Sequence, residues 1–211
     1  MKKPTFILSM LLSPILLSLG CSSAQKAQKV SALSGLEGKK IALISVEGEE
    51  TSKKIVEVAL VNQLIRKGSF NLVPKQEVEA ARAEPQQNPM DWKGIAARTG
   101  ADYALVVHVL DFSADTREGY STEEIYDSQL AAEQGTDGKT QRVFKLKSME
   151  GHVKMEIRFR PVGAGADQSG TAEASQRVEE NARSSSIHLP PKLRFLEELS
   201  NRAFKEFFDR E

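Results

Sequence analysis

The first apolar run of the chain, Phe6-Ile7-Leu8-Ser9-Met10-Leu11-Leu12-Ser13-Pro14-Ile15-Leu16-Leu17, is continuous rather than periodic and follows Lys2 and Lys3. A bilayer core of about 30 Å takes roughly 20 apolar residues to span, and Pro14 interrupts this shorter run. A basic start followed by such a run is the layout of an export signal, read here over residues 1–20. From Ser22 to Gly38 the chain is small and polar without strong periodicity, the composition of a tether. About 18 residues of coil reach roughly 25 Å, and about 60 Å when stretched.

Beyond residue 39 the pattern becomes that of a folded domain, read as a single one over 39–211. Lys39 to Val46 is a compact apolar strand ending at Glu47-Gly48. A helix follows, capped by Thr51 or Ser52 and ended by Gly68, with Ile55, Val58, Ala59, Val61, Leu64 and Ile65 at helical spacing. Phe70 to Val73 predicts a short strand before Pro74, Lys75 to Ala83 a helix, and residues 84–89 a break. Asp91 opens another short helix that closes at Gly100.

Tyr103 to Leu110 is a nearly continuous apolar strand, which predicts cover on both its faces. Residues 113–141 turn polar and read as a long connection, with a weak strand around Val143, Phe144 and Leu146. Val153, Met155, Ile157 and Phe159 alternate with Lys154, Glu156, Arg158 and Arg160, a strand with one wet face. Thr171 to Val178 is a weaker strand. Pro191 to Arg210 places Leu196, Leu199, Ala203 and Phe207 on one helical stripe. The order predicts an α/β fold, a three-layer or two-layer sandwich with a mixed β-sheet flanked by helices.

Charge removes one function class. The chain has 29 basic and 29 acidic residues. Loss of Lys2 and Lys3 with the leader leaves an excess of two acids, without a polybasic patch to attract nucleic acid. The single cysteine, Cys21, excludes an intramolecular disulfide and stands where the apolar leader meets the polar tether.

Leu17-Ser18-Leu19-Gly20-Cys21 resembles the lipobox of bacterial lipoproteins, with Ser18 where that pattern usually has leucine. The resemblance implies cleavage before Cys21, diacylglyceryl transfer to its sulfur and acylation of the freed amine. Each buried methylene adds roughly 0.8 kcal/mol, so two or three long chains hold a membrane durably. Ser22 and Ser23 follow, with no aspartate, which under enteric-type sorting implies the outer membrane with the domain facing the periplasm.

The combination of KKIALISVEG, a helix ending in IRKGSFNLVP, and IAARTGADYALVVHVLDF resembles a group of envelope proteins. These are the curli secretion channel (CsgG) family, the penicillin-binding-protein activator (LpoB) family and the TolB amino-terminal domain. Gly68 to Val73 and Gly100 to Tyr103 match best. The resemblance implies a domain without catalytic residues that binds other envelope proteins or copies of itself. The alternative it implies is a subunit of a curli-type outer-membrane channel.

The remaining candidates point to no cofactor, metal or catalytic site. His108, His152 and His188 lack metal-ligand spacing, and His108 reads as a satisfied core histidine. Gly163-Ala164-Gly165 and Gly170 join two strands and read as a turn. Glu49-Glu50, Glu123-Glu124 and Glu179-Glu180 read as solvated surface, since sequence neighbours point apart. Ser184-Ser185-Ser186 reads as a loop, and Trp92 and Tyr103 as packing residues.

Overall fold

A computed structural model describes residues 35–83, 91–135, 137–181 and 188–209. The chain divides into Met1–Val30 and Ser31–Glu211, and everything described belongs to the second unit. Cys21, most of the tether and Ser184 to Ser186 lie outside the described residues.

The elements are β1 (Lys40–Glu47), α1 (Glu50–Lys67), β2 (Asn71–Leu72), α2 (Lys75–Arg82), α3 (Trp92–Arg98), β3 (Tyr103–Tyr126), α4 (Ser128–Gln134), β4 (Lys139–Pro161), β5 (Gln168–Asn181) and α5 (Lys192–Phe208). They build an open five-stranded sheet in the order β2-β1-β3-β4-β5. β1 runs parallel to β2 and β3, and β3, β4 and β5 are antiparallel, so the sheet is mixed as the sequence predicts.

Its two faces carry separate cores. On one, Ile41, Leu105, Val107, Met155, Ile157 and Phe159 meet Val56, Leu60 and Leu64 of α1 and Leu196, Leu199, Phe204 and Phe208 of α5. On the other, Ala42, Ile44, Ala104 and Val106 meet Val78 and Ala81 of α2 and Ile95 and Ala96 of α3. The sandwich is therefore three layers deep over β1 and the start of β3. Over β4 and β5 it has two layers, because Arg160, Arg158, Glu156 and Lys154 alternate with buried Phe159, Ile157 and Met155. Both cores follow from the apolar alternation, since successive strand residues point to opposite faces.

Several boundaries differ from the sequence reading. Neither Thr51 nor Ser52 caps α1. Its N-cap is Glu49, and the Ser52 hydroxyl donates back to the Glu49 carbonyl over 2.8 Å. Gly68 ends α1 in the left-handed conformation at φ 64°, where a side chain is disfavoured. The buried stripe of α1 is Val56, Ala59, Leu60 and Leu64, which turns Val58 and Ile65 outward at 53% and 65% exposure. Leu36, read as tether, is fully buried, and the Gly38 N–H donates to the Ser69 carbonyl. Asp91 caps α3 as predicted, its carboxylate accepting from the Gly94 N–H.

The largest correction concerns residues 113–141, which do not form a long connection. β3 runs on to Tyr126, α4 follows, and β4 starts at Lys139, so most of this polar stretch is antiparallel ladder. The ladder forms because Thr, Tyr, Ile and Val suit a strand and because opposite charges face each other across it. Neither cause leaves the apolar signature of a buried strand.

Candidate functional site

The long hairpin is the feature that the core does not explain. β5 accompanies β4 only as far as the Leu146↔Asn181 rung. β1 accompanies β3 only as far as Glu47↔His108. From Tyr120↔Lys145 to Tyr126↔Lys139 the sheet is thus two strands wide among the described residues. Isolated two-stranded hairpins are marginal in water, so a ribbon of this kind needs internal or external support.

The internal support is electrostatic. Glu118 on β3 meets Lys147 at 2.6 Å and Lys145 at 2.9 Å, which pulls its carboxyl down to about 2. Glu124 meets Lys139 at 3.2 Å, and Glu123 stands opposite Arg142 in the ladder. Residues 118–126 carry Glu118, Glu123 and Glu124 and no basic side chain. Residues 139–147 carry Lys139, Arg142, Lys145 and Lys147 and no acidic one. One leg of the ribbon is acidic and the other basic. Between the charges Tyr120, Tyr126 and Val143 are 77%, 69% and 61% exposed.

The ribbon's root is held across three strands. His152 on β4 places Nδ1 2.7 Å from Asp111 Oδ2 on β3 and Nε2 3.0 Å from Glu173 Oε1 on β5. Both carboxylates are acceptors, so both contacts become hydrogen bonds only when the ring carries two protons. Asp111 first, then Glu173, raises the histidine's pKa, and His152 in turn lowers both carboxyls. Asp111 follows directly on a bulge between Val109 and Asp111 where the β3–β4 register shifts. The cluster therefore pins the strand where it leaves the body.

A second candidate is the cleft of about 1590 Å³ beside the free edge of β1. Val58, Val61 and Ile65 of α1 and Trp92, Arg158 and Arg160 on the opposite side line it. The Arg82 guanidinium donates to the Ile44 carbonyl at that edge. His108 lies at its rim, half-buried and paired with Glu47 at 3.0 Å, so it is not the core histidine expected from the sequence. The Ser45 hydroxyl points to the Glu47 carboxylate at 3.4 Å rather than to the ring, an arrangement that gives the hydroxyl no imidazole base.

The other sequence candidates sit where packing or solvent accounts for them. Trp92 packs on the α2/α3 core beneath the Arg160 guanidinium at 5.0 Å, and Tyr103 packs on the other core. Residues 162–167 turn between β4 and β5. Glu50 pairs with Lys54, Glu179 with Arg177, and the Glu180 carboxylate accepts from the His188 N–H. Among the described residues no group of three His, Cys, Asp or Glu side chains is arranged to hold a metal ion, and no helix is long and apolar enough to cross a membrane. Sequence reasoning missed the ribbon, whose available signal was the segregation of acids into one nine-residue stretch and bases into another.

Fold and site together define an open-sheet α/β sandwich carrying a projecting antiparallel ribbon. Neither family models nor curated proteins yield a match to this chain. Among solved structures the chain is similar to the C-terminal domain of LpoB from Salmonella enterica (16% identity, 66% of this chain and 84% of that one, TM-score 0.40). It is also similar to lipoprotein GNA1162 from Neisseria meningitidis (12% identity, 81% and 99%, TM-score 0.42). A third is PelC from Paraburkholderia phytofirmans, there a dodecamer (17% identity, 79% and 85%, TM-score 0.34). The activator named in the sequence resemblance is thus among the structures found, while the curli-channel and TolB parts of that resemblance stay readings of the sequence.

Proposed function

We propose that this chain is a lipid-anchored protein-binding module of the cell envelope, held by acyl chains on Cys21, with its domain facing the periplasm from the outer membrane. The projecting ribbon carries this reading. A two-stranded element with exposed tyrosines and unflanked edges gains stability by adding a partner, which supplies backbone bonds along an edge and cover for the aromatic faces. Its role is docking and not catalysis. The alternative, a channel subunit, needs a ribbon with one uninterrupted apolar face toward lipid. Here Glu118 and Lys147 occupy one face and Glu123 and Arg142 the other, which supports a ribbon that works in water.

The test places a photo-crosslinking amino acid at Tyr120 or Val143 in cells, with Lys54 on α1 as the control position. Specific adducts from the ribbon positions and none from the control are expected. Adducts from neither ribbon position would remove the docking reading. Fatty-acid labelling of the chain and of Cys21→Ala tests the anchor separately: label on both proteins, or on neither, counts against it.

A further inference from the structure

We infer that the ribbon's partner is a second copy of this chain, docked head to tail with the acidic leg of one ribbon against the basic leg of the next. The inference rests on the docking reading and names its partner. Charge decides among the possible pairings. Like legs brought together in a two-fold dimer would set Glu118, Glu123 and Glu124 against themselves, or Lys139, Arg142 and Lys145 against themselves, a destabilising match. Unlike legs give the opposite result. With all ribbons pointing the same way, β4 of one copy and β3 of the next are automatically antiparallel, as β3 and β4 already are within one chain.

Each acid already has a base within its own ribbon, and the new neighbour extends the alternation instead of replacing it. Among the described residues, the outer flank of β3 lacks a strand from Val109 onward, and the outer flank of β4 lacks one from Lys145 to Lys139. A copy on either side would convert the two-stranded ribbon into a sheet of three or more strands. It would also bring neighbouring side chains over the exposed Tyr120, Tyr126 and Val143. The association is between unlike surfaces, so it can continue from copy to copy.

A charge swap tests this without disturbing the intrachain pairs. The swapped chain carries Glu118→Lys, Glu123→Arg and Glu124→Lys together with Lys139→Glu, Arg142→Glu, Lys145→Glu and Lys147→Glu. Full-length wild type and swapped chains are co-expressed with two different tags, extracted in detergent and captured on one tag. Wild type should retrieve wild type and the swap should retrieve itself, while retrieval across the two sorts falls by about tenfold or more. Equal retrieval across sorts, or none within wild type, overturns the proposal.

Should the full swap not fold by circular dichroism, the single-rung swap Glu123→Arg with Arg142→Glu decides, and unreduced cross-retrieval counts against the idea. A monomeric chain that binds vesicles of phosphatidylglycerol and phosphatidylethanolamine through its basic leg also refutes it. If wild type is monomeric while Tyr120 crosslinks to other envelope proteins, the copy assignment falls and the docking reading survives. Absence of adducts from both Tyr120 and Val143 removes both.

Discussion

Two halves of one strand invite comparison. From Tyr103 to Val107, β3 lies between two helix layers, and Ala104, Leu105, Val106 and Val107 are buried. From Glu118 to Tyr126 the same strand has, among the described residues, one neighbouring strand and no helix packed over it, and most of its residues are exposed. The first half is held by burial, which gives roughly 25 cal/mol for each Å² of apolar surface removed from water. The second is held by ladder hydrogen bonds and cross-strand pairs, each a contribution of about 0.2–1 kcal/mol. A strand can therefore be continuous in geometry while its stability falls from one end to the other.

The strongest way to break the buried half is to remove core volume. Phe204 is fully buried on α5 and stacks near Phe208, with ring centroids 6.4 Å apart. Phe204→Ala should cost about 3–5 kcal/mol of unfolding free energy in urea titration. A loss below 1 kcal/mol would mean that α5 does not carry the core.

A smaller effect is expected at the junction of the halves. A Cβ on Gly151 would lie 2.6 Å from Phe195 Cε1 and 2.8 Å from Leu199 Cδ1, so α5 sits directly on this backbone. Gly151→Val should destabilise by about 1–3 kcal/mol through overpacking. Full stability in thermal unfolding would contradict the close approach.

Next in size is the root cluster, whose sign depends on pH. The folded pKa of His152 is raised above the ordinary histidine value of 6.5, so its contribution is complete below that pH and is lost as pH rises through the folded value. Asp111 and Glu173 are lowered, so their share is present above the ordinary carboxylate range and lost as pH falls through the folded values. Wild type should exceed His152→Gln most between these limits, by less than about 1 kcal/mol because the three side chains are partly exposed. Urea midpoints of the two proteins that stay equally spaced across the pH range would refute the cluster's protonation.

The smallest effect belongs to the ribbon. Glu118→Gln should leave the melting of the body unchanged while amide exchange in residues 118–126 and 139–147 speeds up. Equal exchange in both proteins would show that the Lys145 and Lys147 pairs do not hold the ribbon.

Legibility in the sequence followed the same division. β1, the helices α1 to α3, the first half of β3 and the α5 stripe were readable because burial writes apolar periodicity into the chain. Val58 and Ile65 misled by the same logic, since apolar residues at helical spacing need not face inward. The distal ribbon escaped because its faces alternate Thr, Tyr and charge, which single-chain reading takes for loop. Glu123 and Glu124 were visible only as solvated carboxylates; their meaning depends on Arg142 and Lys139, which the fold brings across from another strand. His152 was equally opaque, because Asp111 and Glu173 reach it from two other strands.

Leu36 and Gly38 dock at the starting ends of β1 and β2, and β3 also starts there, with the Asp102 N–H donating to the Lys40 carbonyl. β3 then travels from that pole to the ribbon's tip at Tyr126, a path of 24 residues. At about 3.3 Å per residue it measures roughly 80 Å along the strand. Whatever precedes residue 35 is attached at the pole opposite the tip. The described domain thus begins at one pole and presents its charged ribbon at the other, so the distance between residue 35 and the tip is set by strand length.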